Sequence, residues 1–115
     1  MKEVKSLKGI LKANEKGGIK DDAEKLLWSL LPFDALESTI KVLMHGAKKY
    51  SPDNWRKVEK ERYVDALLRH IIAFLNGEAI DPDSGQSHLA HATCCILFLN
   101  SLYKDQPFKH KSKEA

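Results

Sequence analysis

The chain has 115 residues, of which 43% are apolar and 30% are charged. This composition fits one compact globular domain and excludes a wholly disordered chain. The net charge of +3 comes from the two ends, because residues 21–103 carry nine basic and twelve acidic side chains. We therefore do not expect a basic groove for nucleic acid in the folded part.

The apolar segments are short. None approaches the roughly 20 residues that cross a bilayer, and the N-terminal residues lack the apolar stretch of a secretory signal. We therefore expect a cytoplasmic protein without a membrane partner. The only cysteines, Cys94 and Cys95, are neighbours in an apolar run, where a mutual disulfide would be strained. We expect both to be reduced and buried.

Three regions differ in composition. Residues 1–20 alternate lysines with a few apolar positions and end in Gly17-Gly18, which we interpret as a basic flexible arm with weak structure. Residues 21–103 form the predicted helical domain. Residues 104–115 are predicted to be a basic C-terminal tail.

The first predicted helix opens near Pro32, a residue suited to a first helical turn, and runs to about Lys49. Its apolar positions recur at the spacing of a core-facing stripe. The members of this stripe are Leu36, Ile40, Leu43 and Ala47.

A second helix is predicted from about Glu59 to Asn76, and Gly77 follows it as a helix terminator. Two adjacent apolar stripes run along it. The first is Val64, Leu68, Ile71 and Leu75, and the second is Tyr63, Leu67, His70 and Phe74.

A third helix is predicted from His88 to about Tyr103, with Ser87 as its N-cap. From Ala90 to Leu99 it is apolar nearly all round, which is typical of a central helix or of an oligomer interface. The pattern as a whole predicts an all-α protein, a small bundle of three to five helices.

Acids and histidines cluster around the start of the third helix. His88 and His91 are three positions apart, about 60° around an ideal helix, so both can reach one ion. Glu78, Asp81 and Asp83 precede them, and hard divalent ions need several oxygen ligands. Alternatively, each histidine satisfies a hydrogen bond in a buried corner and Asp83 only shapes the turn.

Two further acidic sites have equally ordinary alternatives. Asp65 and Arg69 are spaced for an i,i+4 ion pair on the second helix, while His70 is either a core histidine or lines a site. Asp34 and Glu37 could share a metal ion, or they could favour the helix N-terminus through the helix dipole.

Basic residues flank the turn after the first helix. Lys48, Lys49 and Arg56 could contact phosphate oxygens, although a solvated charge run explains them equally well. No P-loop, dinucleotide-binding fingerprint or paired Cys-x-x-Cys zinc motif is present. An EF-hand counted from Asp81 is excluded because its twelfth position is Ala92.

Several motifs, taken together in their order along the chain, resemble those of a phage-associated dATP/dGTP diphosphohydrolase family. The resemblance covers about residues 18–100. In the first half these motifs are Leu30-Leu31-Pro32, Ala35-Leu36-Glu37, His45-Gly46-Ala47-Lys48-Lys49-Tyr50 and Asn54-Trp55-Arg56. In the second half they are Arg62-Tyr63, Asp65-Ala66-Leu67, Arg69-His70, Gly77-Glu78, Asp81, Ser84-Gly85 and His88-Leu89-Ala90-His91-Ala92.

The resemblance implies a fold and a cofactor. The family is related to the MazG-like all-α nucleoside triphosphate pyrophosphohydrolases, helical bundles that commonly form homo-oligomers and use Mg²⁺ or Mn²⁺. The MazG pattern pairs Glu-x-x-Glu on one helix with Glu-x-x-Asp on another. This chain has Asp34 and Glu37 for the first pair and histidines in the later part. A phage-encoded member would act in the host cytoplasm.

The function that the resemblance implies is hydrolysis of a purine deoxynucleoside triphosphate to its monophosphate and pyrophosphate. Expected metal ligands are Glu37, Asp65, Glu78, Asp81, His88 and His91, and expected catalytic residues are Asp65, His70 and Glu78. Expected substrate contacts are Lys48, Lys49, Arg56 and Arg69, with Trp55 or Tyr50 stacking on the base.

Two other functions fit the same residues. One is a different helical metal-dependent phosphohydrolase, which would release phosphate or triphosphate instead. The other is a non-enzymatic helical binding or regulatory protein whose histidines and acids cap helices and seal a dimer. Nucleic-acid binding through the lysine-rich ends is the weakest alternative.

Overall fold

The computed structural model describes residues 2–5, 10–13, 17–21 and 24–109. The chain divides into two compact units, Met1–Leu31 and Pro32–Ala115. No helix in the described ranges combines the length and the apolarity that crossing a membrane requires.

The first unit contains a small antiparallel sheet of three strands in the order β1-β2-β3. The strands are β1 (Lys2–Lys5), β2 (Ile10–Ala13) and β3 (Ile19–Asp21), and a 3-10 turn follows at Trp28–Leu30. We expected weak structure over residues 1–20, so the strands are a difference from the prediction. A sequence that alternates Lys with apolar residues suits paired strands, and Gly17, at φ +80°, permits the turn before β3.

The second unit is all-α, as predicted. Its helices are α1 (Phe33–Lys49), α2 (Lys60–Leu75) and α3 (His88–Tyr103), with a 3-10 turn at Asn54–Lys57 between the first two. The prediction of a small helical bundle is confirmed for this unit. The predicted tail is described only to residue 109, and residues 110–115 lie outside the described ranges.

The helix ends follow from local chemistry. The hydroxyl oxygen of Ser87 accepts a hydrogen bond from the backbone N–H of Ala90 at 3.0 Å, so Ser87 is the N-cap predicted for α3. Gly77, at φ +95°, follows the C-cap of α2 in the left-handed region that glycine tolerates best.

The core lies where α3 packs against both α1 and α2. Val42, Ala90 and Cys94 are buried together, with Leu43 and Phe98 packed against them. Small side chains on α3 let the neighbouring helices approach closely. Cys94 and Cys95 are free and buried, as predicted.

The predicted core stripes are partly wrong. On α1 the buried residues are Thr39 and Val42, whereas Ile40 is 45% exposed. On α2 the predicted stripe residues Leu68 and Leu75 are 52% and 73% exposed. Both errors have one cause, since each of these helices packs mainly on α3 and buries a narrower face than a fully surrounded helix would.

Candidate functional site

The loop between α2 and α3 turns back on itself and places its acids against the start of α3. Ile80 and Ser87 pair as an isolated antiparallel bridge. The backbone N–H of His88 donates to the carbonyl oxygen of Ala79 at 2.9 Å, which closes the loop. Backbone pairing, and not side-chain spacing alone, therefore brings the loop acids to the histidines.

His88 uses both of its ring nitrogens. It is 5% exposed, and its Nε2 atom lies 2.6 Å from Oε1 of Glu78. Its Nδ1 atom lies 2.8 Å from Nδ1 of His70 on α2. This histidine therefore connects the loop, α2 and α3.

Asp81 faces the same group of imidazoles. Its Oδ1 atom accepts a hydrogen bond from the backbone N–H of Asp83 at 2.8 Å, which orients the carboxylate. Its Oδ2 atom lies 3.8 Å from Nδ1 of His70 and 3.8 Å from Nε2 of His91. One oxygen shapes the turn while the other points at the histidines.

His91 completes the cluster. Its ring stacks on that of His70 with the centroids 4.5 Å apart and the planes 12° from parallel. Its Nε2 atom lies 2.6 Å from the hydroxyl oxygen of Ser84. We call His70, Asp81, His88 and His91, with Glu78 and Ser84 on their outer side, the histidine cluster.

Burial lowers the pKa of His70, and the neighbouring His91 imidazole lowers it further, while the Asp81 carboxylate opposes both effects. Burial also lowers the pKa of His91, against the same carboxylate. The two rings are therefore held as neutral imidazoles at neutral pH. A neutral imidazole has the lone pair that metal binding or proton uptake needs.

Three side chains of the described residues offer donor atoms that lie within 4.8 Å of one another: His70, Asp81 and His88. Two imidazole nitrogens and one carboxylate oxygen form a donor set that fits a divalent first-row ion such as Mn²⁺. The cluster therefore has the chemistry to hold such an ion.

A cavity of about 950 Å³ adjoins the cluster, with His70 and His91 in its wall. Its volume lies near the upper end of the roughly 300–1,000 Å³ typical of ligand pockets. Three aromatic residues, Trp55, Tyr63 and Phe98, line another part of it. The cavity therefore offers both an apolar wall and a polar, histidine-lined wall.

The aromatic wall is held by specific contacts. The Trp55 ring stacks on Phe98 with the centroids 4.7 Å apart, and the Tyr63 hydroxyl donates to the Trp55 carbonyl oxygen at 2.7 Å. The Arg56 guanidinium lies 4.3 Å from the centre of the Trp55 ring. The Trp55 ring is thus already stacked on another ring, whereas Tyr50 lines the cavity and is 65% exposed, with the Lys49 ammonium 5.6 Å from its ring centre.

Cations line the cavity as well. Lys49, Lys57 and Arg62 are in its wall. Nζ of Lys49 lies 3.2 Å from Oδ2 of Asp83, and Nε2 of His45 lies 3.4 Å from the same oxygen. The carboxylate of Asp83 therefore links the end of α1 to the loop that carries Asp81.

The sequence matches one protein family over most of its length. The model of the family described as "dATP/dGTP diphosphohydrolase, N-terminal" covers residues 15–112. The chain belongs to this family. A protein of Salmonella phage PMBT28 named dATP/dGTP diphosphohydrolase is 33% identical over 90 residues, which are 78% of this chain and 31% of that protein. The match thus spans about a third of the length of this relative, and no solved structure matches the chain.

Several of the residues expected in the site of this family member come together. His70, Glu78, Asp81, His88 and His91 all belong to the histidine cluster, although Glu78 contacts the outer nitrogen of His88 and not the converging donor atoms. Three expected substrate contacts line the cavity, namely Lys49, Tyr50 and Trp55.

Other expected residues lie elsewhere. Asp65 and Glu37 are exposed and are not among the donor atoms that converge in the described part of the chain. Asp65 precedes His70 by five positions, which is about 140° around the helix, so the two side chains leave α2 on different faces. Lys48, Arg56 and Arg69 are likewise not in the cavity wall.

Some lining residues had no distinct sequence signal. Lys57 and Phe98 line the cavity, but nothing in the sequence separates Lys57 from other surface lysines or Phe98 from other core aromatics. Arg62 does stand in a motif of the family resemblance, next to Tyr63. Ser84 stands in another such motif, and its contact with His91 depends on how the loop closes.

Proposed function

We propose that this protein hydrolyses a purine deoxynucleoside triphosphate to the monophosphate and pyrophosphate, using a divalent cation at the histidine cluster. The observation that carries the proposal is the convergence of His70, Asp81 and His88 beside a cavity of nucleotide-binding size. Membership of a family described as dATP/dGTP diphosphohydrolase supports the substrate class.

Different residues of the cavity wall would contact the triphosphate and the base. Lys49, Lys57 and Arg62 would offset the negative charge of the triphosphate. Tyr50, which lines the cavity with much of its ring exposed, is better placed to stack on the base than the already stacked Trp55. The triphosphate would lie towards the histidine-lined wall.

The reaction is an in-line displacement at the α-phosphorus. The oxygen of a water molecule bonds to that phosphorus, while the bond to the oxygen that bridges the α- and β-phosphates breaks. The proton of the water passes to the imidazole of His91, which lines the cavity and is not one of the three residues that would hold the cation. Lys49 stabilises the charge that develops on the pyrophosphate leaving group.

His70, Asp81 and His88 would hold the cation. When bound, it would supply positive charge to the phosphate oxygens and lower the pKa of the attacking water. Asp65 and Glu37 have no part in this mechanism, because their exposed carboxylates are not among the converging donor atoms. Glu78 orients His88 and does not contact the reacting atoms.

The test is an assay of the purified protein with dATP and dGTP in the presence of Mg²⁺, Mn²⁺ or Co²⁺. We expect the monophosphate and pyrophosphate in equal amounts, and no reaction after treatment with a chelator. An absence of turnover of either nucleotide with all three ions would refute the proposal.

The identity of the products distinguishes the proposed reaction from those of other phosphohydrolases. Release of inorganic phosphate or triphosphate by the same cluster would show a different bond to be cleaved. A purely structural histidine cluster is the non-enzymatic alternative, because the contacts of His88 with Glu78 and His70 are also ordinary hydrogen bonds. That alternative predicts no bound cation and no turnover.

We infer that copies of the chain associate. Leu68, Ile72 and Leu75 recur along α2 and remain exposed, which leaves an apolar stripe without a partner in the described part of the chain. Light scattering with size-exclusion chromatography should give a mass above one chain. Triphosphate hydrolysis would take place in the cytoplasm, which is that of the host cell if the protein is phage-encoded.

A further inference from the structure

The donor atoms that converge in the histidine cluster are mainly imidazole nitrogens. Nδ1 of His70 and Nδ1 of His88 are 2.8 Å apart, and Oδ2 of Asp81 is 3.8 Å from the His70 atom. Ligand atoms that share one ion at about 2.1 Å are at most about 4.2 Å apart. These two separations therefore suit a single small cation.

Glu78 provides an independent observation. Its carboxylate contacts Nε2 of His88, the ring nitrogen that does not face His70. An ionised carboxylate only accepts hydrogen bonds, so Nε2 carries the ring proton and Nδ1 carries the lone pair. A carboxylate on the outer nitrogen of a histidine is the usual partner that orients a metal-binding imidazole.

Nδ1 of His88 carries a lone pair that faces Nδ1 of His70. A proton or a positive charge is therefore needed between these two atoms. The carboxylate of Asp81 faces the same point and is 16% exposed. Its negative charge favours a cation there over a single hydrogen bond between neutral rings.

The geometry points to a first-row transition cation such as Co²⁺, Ni²⁺ or Zn²⁺ in the histidine cluster, in preference to Mg²⁺, with Glu78 fixing the tautomer of His88. Imidazole nitrogen suits these ions, whereas Mg²⁺ keeps oxygen ligands and several waters. The inference rests on the proposed function, because both use this cluster. It limits the cations that the activity would use to first-row transition ions.

The first test is equilibrium dialysis of the full chain, previously stripped with a chelator, against Co²⁺ and against Mg²⁺. We expect one Co²⁺ per chain, a visible absorption band from the bound ion, and an affinity on the order of a hundredfold higher than for Mg²⁺. Equal affinities for the two ions, or no bound Co²⁺, would overturn the inference.

The second test addresses the residues. His70→Ala should abolish the tight Co²⁺ site, and Glu78→Ala should weaken it about tenfold or more. Glu78→Gln keeps an oxygen that accepts from Nε2, so it should restore part of the affinity. The Glu78 side chain is 56% exposed, so its variants should leave the core intact, and circular dichroism checks the fold.

Asp65→Ala is the matched control, because Asp65 is an exposed carboxylate on the same helix as His70 but is not among the converging donor atoms. It should bind Co²⁺ as the original protein does. Nitrogen NMR of the imidazoles gives a readout that stability alone does not change, since Glu78→Ala should remove the preference of His88 for a protonated Nε2. An unchanged tautomer and an unchanged Co²⁺ affinity in Glu78→Ala would refute the role of Glu78.

The outcome for the ion and the outcome for the activity are separable. Tight Co²⁺ binding without dNTP turnover would leave this inference standing and refute the proposed function. Turnover with Mg²⁺ bound as tightly as Co²⁺ would refute this inference and leave the proposed function standing.

Discussion

The thiol of Cys94 lies 3.4 Å from the carbonyl oxygen of Thr39, to which it donates a hydrogen bond that joins α3 to α1. Both residues are buried, Thr39 at 2% and Cys94 at 3% exposure. Burial raises the pKa of Cys94 to about 12 and that of Cys95 to about 11. These cysteines are therefore core residues and not nucleophiles.

Thiol reactivity tests this interpretation. A rise in the pKa of Cys95 from 9.0 to about 11 lowers its thiolate fraction at neutral pH roughly a hundredfold. We expect slow reaction of both thiols with a disulfide reagent in the native protein and rapid reaction of two thiols per chain in denaturant. A thiol that reacts rapidly in the native state would contradict the buried placement.

Lys49 is a cation of the cavity wall that an ion pair holds in position, because its ammonium group lies 3.2 Å from the carboxylate of Asp83. Lys49→Ala removes a charge-assisted contact to phosphate, and such contacts contribute about 1.5–3 kcal/mol. We expect kcat/KM for dATP to fall about tenfold or more. Steady-state kinetics with pyrophosphate detection measures the change.

Lys41→Ala is the control for Lys49, since Lys41 is an exposed lysine on the same helix but is not in the cavity wall. It should leave kcat/KM unchanged. The hydrogen bond from Lys49 is the main cause that lowers the pKa of Asp83. In Lys49→Ala this pKa should therefore rise towards its ordinary value, which carbon NMR of the Asp83 carboxyl can follow.

The helices were predictable because each has a local signal at one of its ends. Pro32, Ser87 and Gly77 mark a start, a cap and a stop through backbone chemistry that needs no knowledge of the tertiary structure. The buried faces were less predictable. Ile40 and Leu68 fit the helical periodicity but are exposed, because periodicity does not tell how many neighbours a helix has.

In the candidate site, too, some features were predictable from the sequence and others were not. The proximity of Asp81 and His88 was predictable, because one short loop separates them in sequence. The participation of His70 through its Nδ1 atom depends on how α2 packs on α3, which a single sequence does not fix. Asp65 looked equally suitable in sequence, but it leaves α2 on another face.

The N-cap of α3 should contribute to the free energy of unfolding, because it pairs a backbone N–H in the first turn of the helix that begins with His88. Ser87→Ala removes the acceptor for the Ala90 N–H and should lower the free energy of unfolding by about 1 kcal/mol. Ser38→Ala is the matched control, since Ser38 lies within α1 and its hydroxyl donates to the carbonyl oxygen of Ala35. It should change the free energy of unfolding by less than about 0.5 kcal/mol. Urea titration measures both, and equal losses would contradict the capping role.

Two glycines should respond in opposite directions to alanine. Gly77 has φ +95°, so Gly77→Ala places a Cβ in the left-handed region and should destabilise the protein by about 1 kcal/mol. Gly46 lies inside α1, and a Cβ added there meets no atom within 4 Å. Gly46→Ala should therefore stabilise the protein by about 0.5–1 kcal/mol, because alanine loses less backbone entropy in a helix. Urea titration of both variants gives the signs, and a stabilising Gly77→Ala would contradict the turn that leads from α2 into the histidine cluster.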